Sequence, residues 1–172
     1  IPTSSTRSQL ALGDALGIAT MRQKKFNNKD FKKIHPAGSL GAQLKTVEDI
    51  MLKDKAIPFV NENLKIKDAL KVLNLKKLGF LLVRDKKKIT RGIITDGELR
   101  RFTQKKQNLH NFLVKQIMTK NPIGIDKNEL AAKALSLMNN KKITSLCVYN
   151  KKNKLKTIGV LHIHNILQSN IS

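Results

Sequence analysis

The sequence predicts an α/β (α+β) chain in which a short helical segment precedes two copies of one β-α-β-β-α unit, packed as a pseudo-symmetric pair. Three observations carry this expectation. Past residue 45 a set of apolar and polar positions recurs in the same order, and a recurring unit outranks any single local signal. Inside each copy the apolar spacing switches from helical to strand-like. The first 45 residues share none of this pattern, and they are interrupted at His35-Pro36-Ala37-Gly38.

The opening reads as a helix. Hydroxyls at Thr3 to Thr6 precede a pattern in which Leu10, Ala11, Ala15, Ile18 and Ala19 share a face, and Ser or Thr is the expected N-cap. Helix N-termini favour anions, so Ser4, Ser5 and Thr6 are candidates to approach a bound phosphate. Gly13 and Gly17, four apart, either permit close helix packing or are simply tolerated in the helix. Further on, Asp30 is suited to cap a short helix that carries His35 in its last turn. Pro36 stops that helix, because it has no N–H and its ring clashes with the preceding turn. Ala37-Gly38 turns the chain, and Ser39 is placed to cap a second helix whose free N–H groups face the His35 imidazole.

From Val47 the repeat begins. Asp49-Ile50-Met51 recurs as Gln116-Ile117-Met118, and the helix face Ile66, Ala69, Leu70, Leu73 recurs as Ala131, Ala134, Leu135, Met138. Phe80-Leu81-Leu82-Val83 then matches Ser145-Leu146-Cys147-Val148, and Gly92-Ile93-Ile94-Thr95 matches Gly159-Val160-Leu161-His162. Polar hairpin turns are expected from Arg84 to Lys88 and from Asn150 to Lys156. One unit of about 60 residues buries too little surface to be comfortable alone, so each copy is expected to pack on the other's sheet. The predicted domains are 1–45, 46–108 and 109–172. The polar stretch from Thr103 to Asn111 reads as a linker with helix at its ends, and the tail after Gln168 as patternless and prone to fray.

Charge and composition narrow the function classes. The chain has 172 residues with 34 Lys+Arg against 12 Asp+Glu, a net charge of +22. Such an excess ordinarily points to nucleic acid or anionic membrane. Here it is mostly lysine, spread in pairs such as Lys24-Lys25, Lys76-Lys77 and Lys141-Lys142, without interleaved aromatics to stack bases. Specific nucleic-acid binding is therefore not expected, whereas salt-sensitive adsorption to polyanions is. No apolar run approaches the roughly 20 residues of a membrane span, and no signal-peptide pattern is present. A lone cysteine, Cys147, excludes an internal disulfide and reads as a small buried hydrophobe of a cytoplasmic protein. His162 and His164 are expected to alternate on a strand end and point to opposite faces. With no Cys or carboxylate completing a set, no metal is expected.

These residues resemble a known family. Ile1-Pro2-Thr3-Ser4-Ser5-Thr6, Leu12-Gly13-Asp14-Ala15-Leu16, Asp30-Phe31 and His35-Pro36-Ala37-Gly38-Ser39-Leu40-Gly41 are similar to the end of the sugar-isomerase (SIS) domain of D-arabinose 5-phosphate isomerases. Thr95-Asp96-Gly97-Glu98-Leu99-Arg100-Arg101, Ile143-Thr144-Ser145 and Gly159-Val160-Leu161-His162-Ile163-His164 resemble the paired CBS domains behind it. The resemblance implies a C-terminal helical remnant of a SIS domain followed by two CBS repeats. It implies a parent enzyme interconverting D-ribulose 5-phosphate and D-arabinose 5-phosphate, a precursor of the octulosonic acid of lipopolysaccharide, without metal or organic cofactor. Aldose–ketose isomerisation moves a proton between neighbouring carbons through an ene-diol and needs a positioned base and acid. The resemblance gives the base to an upstream glutamate and an assisting role to His35, with Ala37 standing where the family has glycine.

For the repeats, the resemblance implies a phosphate and ribose site at Thr95 and Glu98 in one copy and at His162 and Asn165 in the other, with Arg100, Arg101 and Thr144 beside them. The implied ligand is a nucleotide or sugar nucleotide. The implied assembly is a homo-oligomer, a tetramer, acting on a sugar phosphate. A chain opening on Ile1 is expected to be the later piece of a longer protein and, without the upstream groups, inactive alone. The competing expectation is a stand-alone CBS module that senses a nucleotide or sugar nucleotide without catalysis.

Overall fold

A computed structural model describes residues 3–27, 30, 43–105 and 111–171. His35, Pro36, Ala37, Gly38 and Ser39 lie outside the described residues. The chain divides into two compact units, residues 1–44 and 45–172.

In the first unit, α1 spans Ser4–Gln23. Thr3 is its N-cap, but its hydroxyl makes no capping bond to the backbone. It instead sits 2.6 Å from the Ser5 hydroxyl and 3.4 Å from that of Thr6. The expected hydroxyl cap is thus replaced by bonds among the hydroxyls themselves. No residue of α1 is buried, and Leu10, Leu12, Leu16 and Ile18 are each more than half exposed. Among the described residues a Cβ on Gly13 or Gly17 would meet nothing within 4 Å.

The second unit contains the duplication. Its elements run α2 (Val47–Ile50), β1 (Leu52–Lys53), β2 (Phe59–Asn61), α3 (Ile66–Lys76), β3 (Phe80–Arg84), β4 (Thr90–Thr95) and α4 (Asp96–Lys105). They continue as β5 (Thr119–Lys120), β6 (Gly124–Asp126), α5 (Ala131–Lys141), β7 (Ser145–Tyr149), β8 (Gly159–His162) and α6 (Ile163–Gln168). Helices α3 and α5 form where the apolar spacing is helical, and the faces they bury are Ile66, Ala69, Leu73 and Ala131, Ala134, Met138. Both end in a lysine in the left-handed region, Lys77 at φ 54° and Lys142 at φ 53°, where glycine is the commoner residue. Each helix carries the chain between parallel strands, β2 to β3 and β6 to β7.

Among the described residues the strands make two four-stranded sheets, ordered β2-β3-β4-β5 and β1-β8-β7-β6. Each sheet thus contains a strand from the other repeat. Strand β1 of the first repeat pairs antiparallel with β8, Leu52 opposite Val160, while β5 of the second pairs antiparallel with β4, Thr119 opposite Ile93. The residues leading into the exchanged strands travel with them. Val47 and Met51 lie in the core under α5, and Val114 and Ile117 in the core under α3. Strand alternation supplies a third layer: Leu81 and Val83 face the helices, while Phe80 and Leu82 face Cys147 and Val160 of the other sheet. Cys147 is buried, and burial pushes its thiol up to about 11 against a hydrogen bond with Thr157.

The tail departs from expectation. Asn170, at φ 56°, turns the chain after α6 so that Ile171 enters the α5 core at 2% exposure. Asparagine tolerates this backbone region better than most residues, and one apolar side chain after it anchors what composition alone reads as fraying.

Two glycines permit the exchange. A Cβ on Gly92 would lie 2.6 Å from the Met118 sulfur and 2.8 Å from the Thr119 carbonyl oxygen. A Cβ on Gly159 would overlap the Met51 sulfur and come within 3.1 Å of the Leu52 carbonyl. Gly92→Ala and Gly159→Ala are each expected to destabilise the fold by about 1–3 kcal/mol, the usual cost of forcing an extra carbon into a packed site. Gly13→Ala, on an open helix face, should lose nothing. Urea denaturation of the three variants checks this, and equal midpoints for all three would contradict the packing at Met51 and Met118.

Candidate functional site

The site grows from four helix starts that use one device. A helix leaves its first N–H groups without partners, and a polar side chain at the third position can reach back to the capping residue. Asp49 accepts from the Thr46 N–H at 2.7 Å, and Gln116 from the Leu113 N–H at 2.8 Å. Glu98 accepts from the Thr95 N–H at 2.8 Å, and Asn165 from the His162 N–H at 3.1 Å. The positions that resemblance gives to ribose binding, Glu98 and Asn165, are therefore also caps of α4 and α6.

Glu98 does more than cap. It accepts from the Thr95 hydroxyl in a short bond, from Arg101 Nη2 at 2.9 Å and from the Thr119 hydroxyl at 3.1 Å. Thr119 arrives on exchanged strand β5, so one carboxylate joins both repeats. Burial raises its pKa, but hydrogen bonds from the Thr95 hydroxyl and N–H and from Thr119 override that, leaving it below the ordinary carboxylate value.

Beside Glu98 lies a cavity of about 560 Å³, within the size range of small-molecule sites. Of the sequence-predicted residues it brings together Thr95, Glu98, Arg101, Thr144 and His162. Arg100 and Asn165 do not line it: Arg100 is exposed and Asn165 is spent on its cap. Ser4, Ser5 and Thr6 are exposed on α1 in the other compact unit. Sequence reading missed Lys142, Thr119, Pro122 and Ile123, which also line the cavity. Lys142 was legible as the residue ending the repeated helix, and Thr119 follows Met118 in the repeated motif. The approach of Thr119 to Glu98 was not legible, since it needs the strand exchange.

His162 and His164 do not point to opposite faces. Strand β8 ends at His162, and His164 lies in α6, so strand alternation does not apply; their ring centroids are 4.9 Å apart. His162 Nδ1 accepts from the His164 N–H at 3.3 Å. Burial first, then the neighbouring His164, holds the His162 pKa below the usual imidazole value. Among the described residues no cluster of three His, Cys, Asp or Glu is placed to hold a metal. No described helix is long and apolar enough to cross a membrane.

A pseudo-symmetric pair of α/β repeats, each completing the other's sheet and flanking a polar cleft, defines a tandem-repeat module. The chain belongs to the CBS-domain family, whose model matches residues 47–105 and 114–171. It is 36% identical over 99% of its length to arabinose 5-phosphate isomerase KdsD of Yersinia pestis, and 39% identical over 97% to that of Francisella tularensis. These matches cover 51% and 50% of the two enzymes, so the chain spans about half the length of the curated relatives it matches. Among solved structures it is similar to CBSX2 in complex with AMP, with a TM-score of 0.63 and 25% identity, covering 72% of this chain and 94% of that one.

Glu98 gives a pH test. A carboxylate whose folded pKa is depressed stabilises the fold above its unfolded value near 4.5, and that contribution is lost as pH falls towards the folded value. Glu98→Gln is expected to be less stable at neutral pH and to lose stability less steeply below about pH 4.5. Urea titrations between neutral pH and the acid limb measure it. Parallel curves for both proteins would show that the carboxylate charge is not used.

Proposed function

We propose that this chain is the regulatory CBS pair, with the end of the preceding sugar-isomerase domain, of an arabinose 5-phosphate isomerase. The CBS model accounts for residues from 47 onward, whereas the relatives named as isomerases match 97–99% of the chain, which takes in most of the first unit. That extended match supports an enzyme over a free-standing sensor. Helix α1, with its apolar residues exposed, suits a helix that completes its packing in a longer protein. In the intact enzyme, His35 assists proton transfer between the first two carbons of the sugar phosphate, while Ser4, Ser5 and Thr6 help hold its phosphate. The base is supplied from upstream residues. The enzyme is cytoplasmic, works as a homo-oligomer of four chains and feeds lipopolysaccharide precursor synthesis.

The cleft is the pair's ligand site, and one observation carries this reading: Thr95, Glu98, Arg101, Thr144 and Lys142 converge on a single cavity of about 560 Å³. The Thr144 hydroxyl offers a hydrogen bond to ribose or phosphate, while the Thr95 hydroxyl, whose proton goes to Glu98, is left to accept from a ribose hydroxyl. Arg101 and Lys142 offer positive charge. Pro122, Ile123 and Ile143 offer apolar surface to a base. The ligand class is therefore a nucleotide or sugar nucleotide, and AMP, which occupies CBSX2, is the first probe.

Calorimetric titration of the 172-residue chain with AMP is expected to show saturable binding, weakened about tenfold in Arg101→Ala. Failure of AMP, sugar nucleotides and other adenine nucleotides alike would refute a ligand role for the cleft. For catalysis, the 172-residue chain alone is expected to be inactive. In the intact protein His35→Ala should lower turnover by roughly two orders of magnitude or more. Turnover by the isolated chain, or unchanged turnover in the variant, would overturn the catalytic assignment.

A further inference from the structure

The two halves of the pair are related by the repeat, yet they are not equally open. Equivalent backbone bonds fix the correspondence: Cys147 N–H donates to Ile123 carbonyl at 3.0 Å, and Leu82 N–H to Pro58 carbonyl at 2.9 Å. On the open side the lead-in to the parallel strand is Pro122-Ile123, and Ile123 is 39% exposed. On the other side it is Ile57-Pro58, and both are buried.

The first residue of the following strand differs as well. In the second repeat it is Ser145, which lines the cavity; in the first it is Phe80, which does not. The Phe80 ring lies parallel to His162, at 4° with centroids 6.3 Å apart, a separation typical of stacked rings. Phe80 is 2% exposed and belongs to the apolar layer of Ile57, Leu82, Cys147 and Val160 between the sheets. The cavity therefore reaches His162 and is not lined by the aromatic ring stacked against it.

Resting on the reading of the cleft as a ligand site, we propose that each chain takes one ligand rather than two. It lies in the half floored by Pro122, Ile123, Thr144 and Ser145. The Phe80–His162 stack fills the equivalent place in the other half, as a built-in apolar occupant. The duplicated scaffold is thereby an asymmetric sensor, and Phe80 is the residue that sets its stoichiometry.

Two variants with one introduced cysteine each test this in the otherwise native chain, where buried Cys147, with its thiol pushed up to about 11, stays silent. Ile123→Cys is expected to react with iodoacetamide about tenfold or more faster than Pro58→Cys, and saturating AMP should protect only Ile123→Cys. If Pro58→Cys fails to fold, the stoichiometry measured on the native chain decides. Equal alkylation rates would overturn the closed half whether or not AMP binds. Calorimetry on the native chain gives the second readout. One AMP per chain is expected, and two would refute the stoichiometry while upholding the cleft as a site. No AMP binding with the rate difference intact would remove AMP as the ligand and leave the closed half standing.

Discussion

The reciprocal exchange of β1 and β5 is the constraint on which the second unit depends. Neither repeat has a complete sheet of its own, since β8 is bordered by Leu52–Lys53 and β4 by Thr119–Lys120. Main-chain bonding is only part of the exchange. Val47 and Met51 fill one helical core, and Val114 and Ile117 fill the other, so separating the repeats would expose apolar surface in both at once. Burying such a side chain contributes about 1.5–3 kcal/mol, and four of them tie the halves into one cooperative unit. A lone repeat of this size would lack the partner strand and part of its core.

The same exchange positions the cavity. Thr119 reaches Glu98 because β5 lies against β4, and Asn121, Pro122 and Ile123 follow from there into the cavity wall. Glu98 meanwhile caps α4 and holds Arg101. Its carboxylate is already fully engaged by Thr95, Arg101 and Thr119, so its contribution to any ligand is indirect. It fixes where the arginine and the two hydroxyls stand. Preorganisation of this kind lowers the ordering cost of binding.

Much of this was legible in the sequence, and the limits were physical. The repeat, the buried helix faces and the strand assignments rest on apolar periodicity, which is a local property. The strand exchange is not local: the Met51 and Met118 motifs recur visibly, but nothing in their spacing says which repeat each packs against. His162 and His164 illustrate another limit. Two residues apart reads as opposite faces only while the strand lasts, and β8 stops at His162. Ile171 illustrates a third, since a single apolar residue after a left-handed turn carries no periodicity and yet occupies the core.

Asymmetry follows from how little separates a binding half from a filled one. The repeat keeps the backbone register, the left-handed lysine after each helix and the third-position cap in both copies. The differences that bear on the cleft include volume at one strand start, serine against phenylalanine, charge at one cap, glutamate against asparagine, and the lead-in to the parallel strand, exposed at Ile123 and buried at Pro58. A serine at that position leaves space and a hydroxyl; a phenylalanine brings its own apolar surface and removes the space. Duplicated folds can diverge in this way because the buried layer tolerates a larger apolar residue wherever the neighbouring cleft is free to be filled. The filled half then stabilises the interface between the sheets through Phe80 and its stack on His162, and recognition is left to the open one.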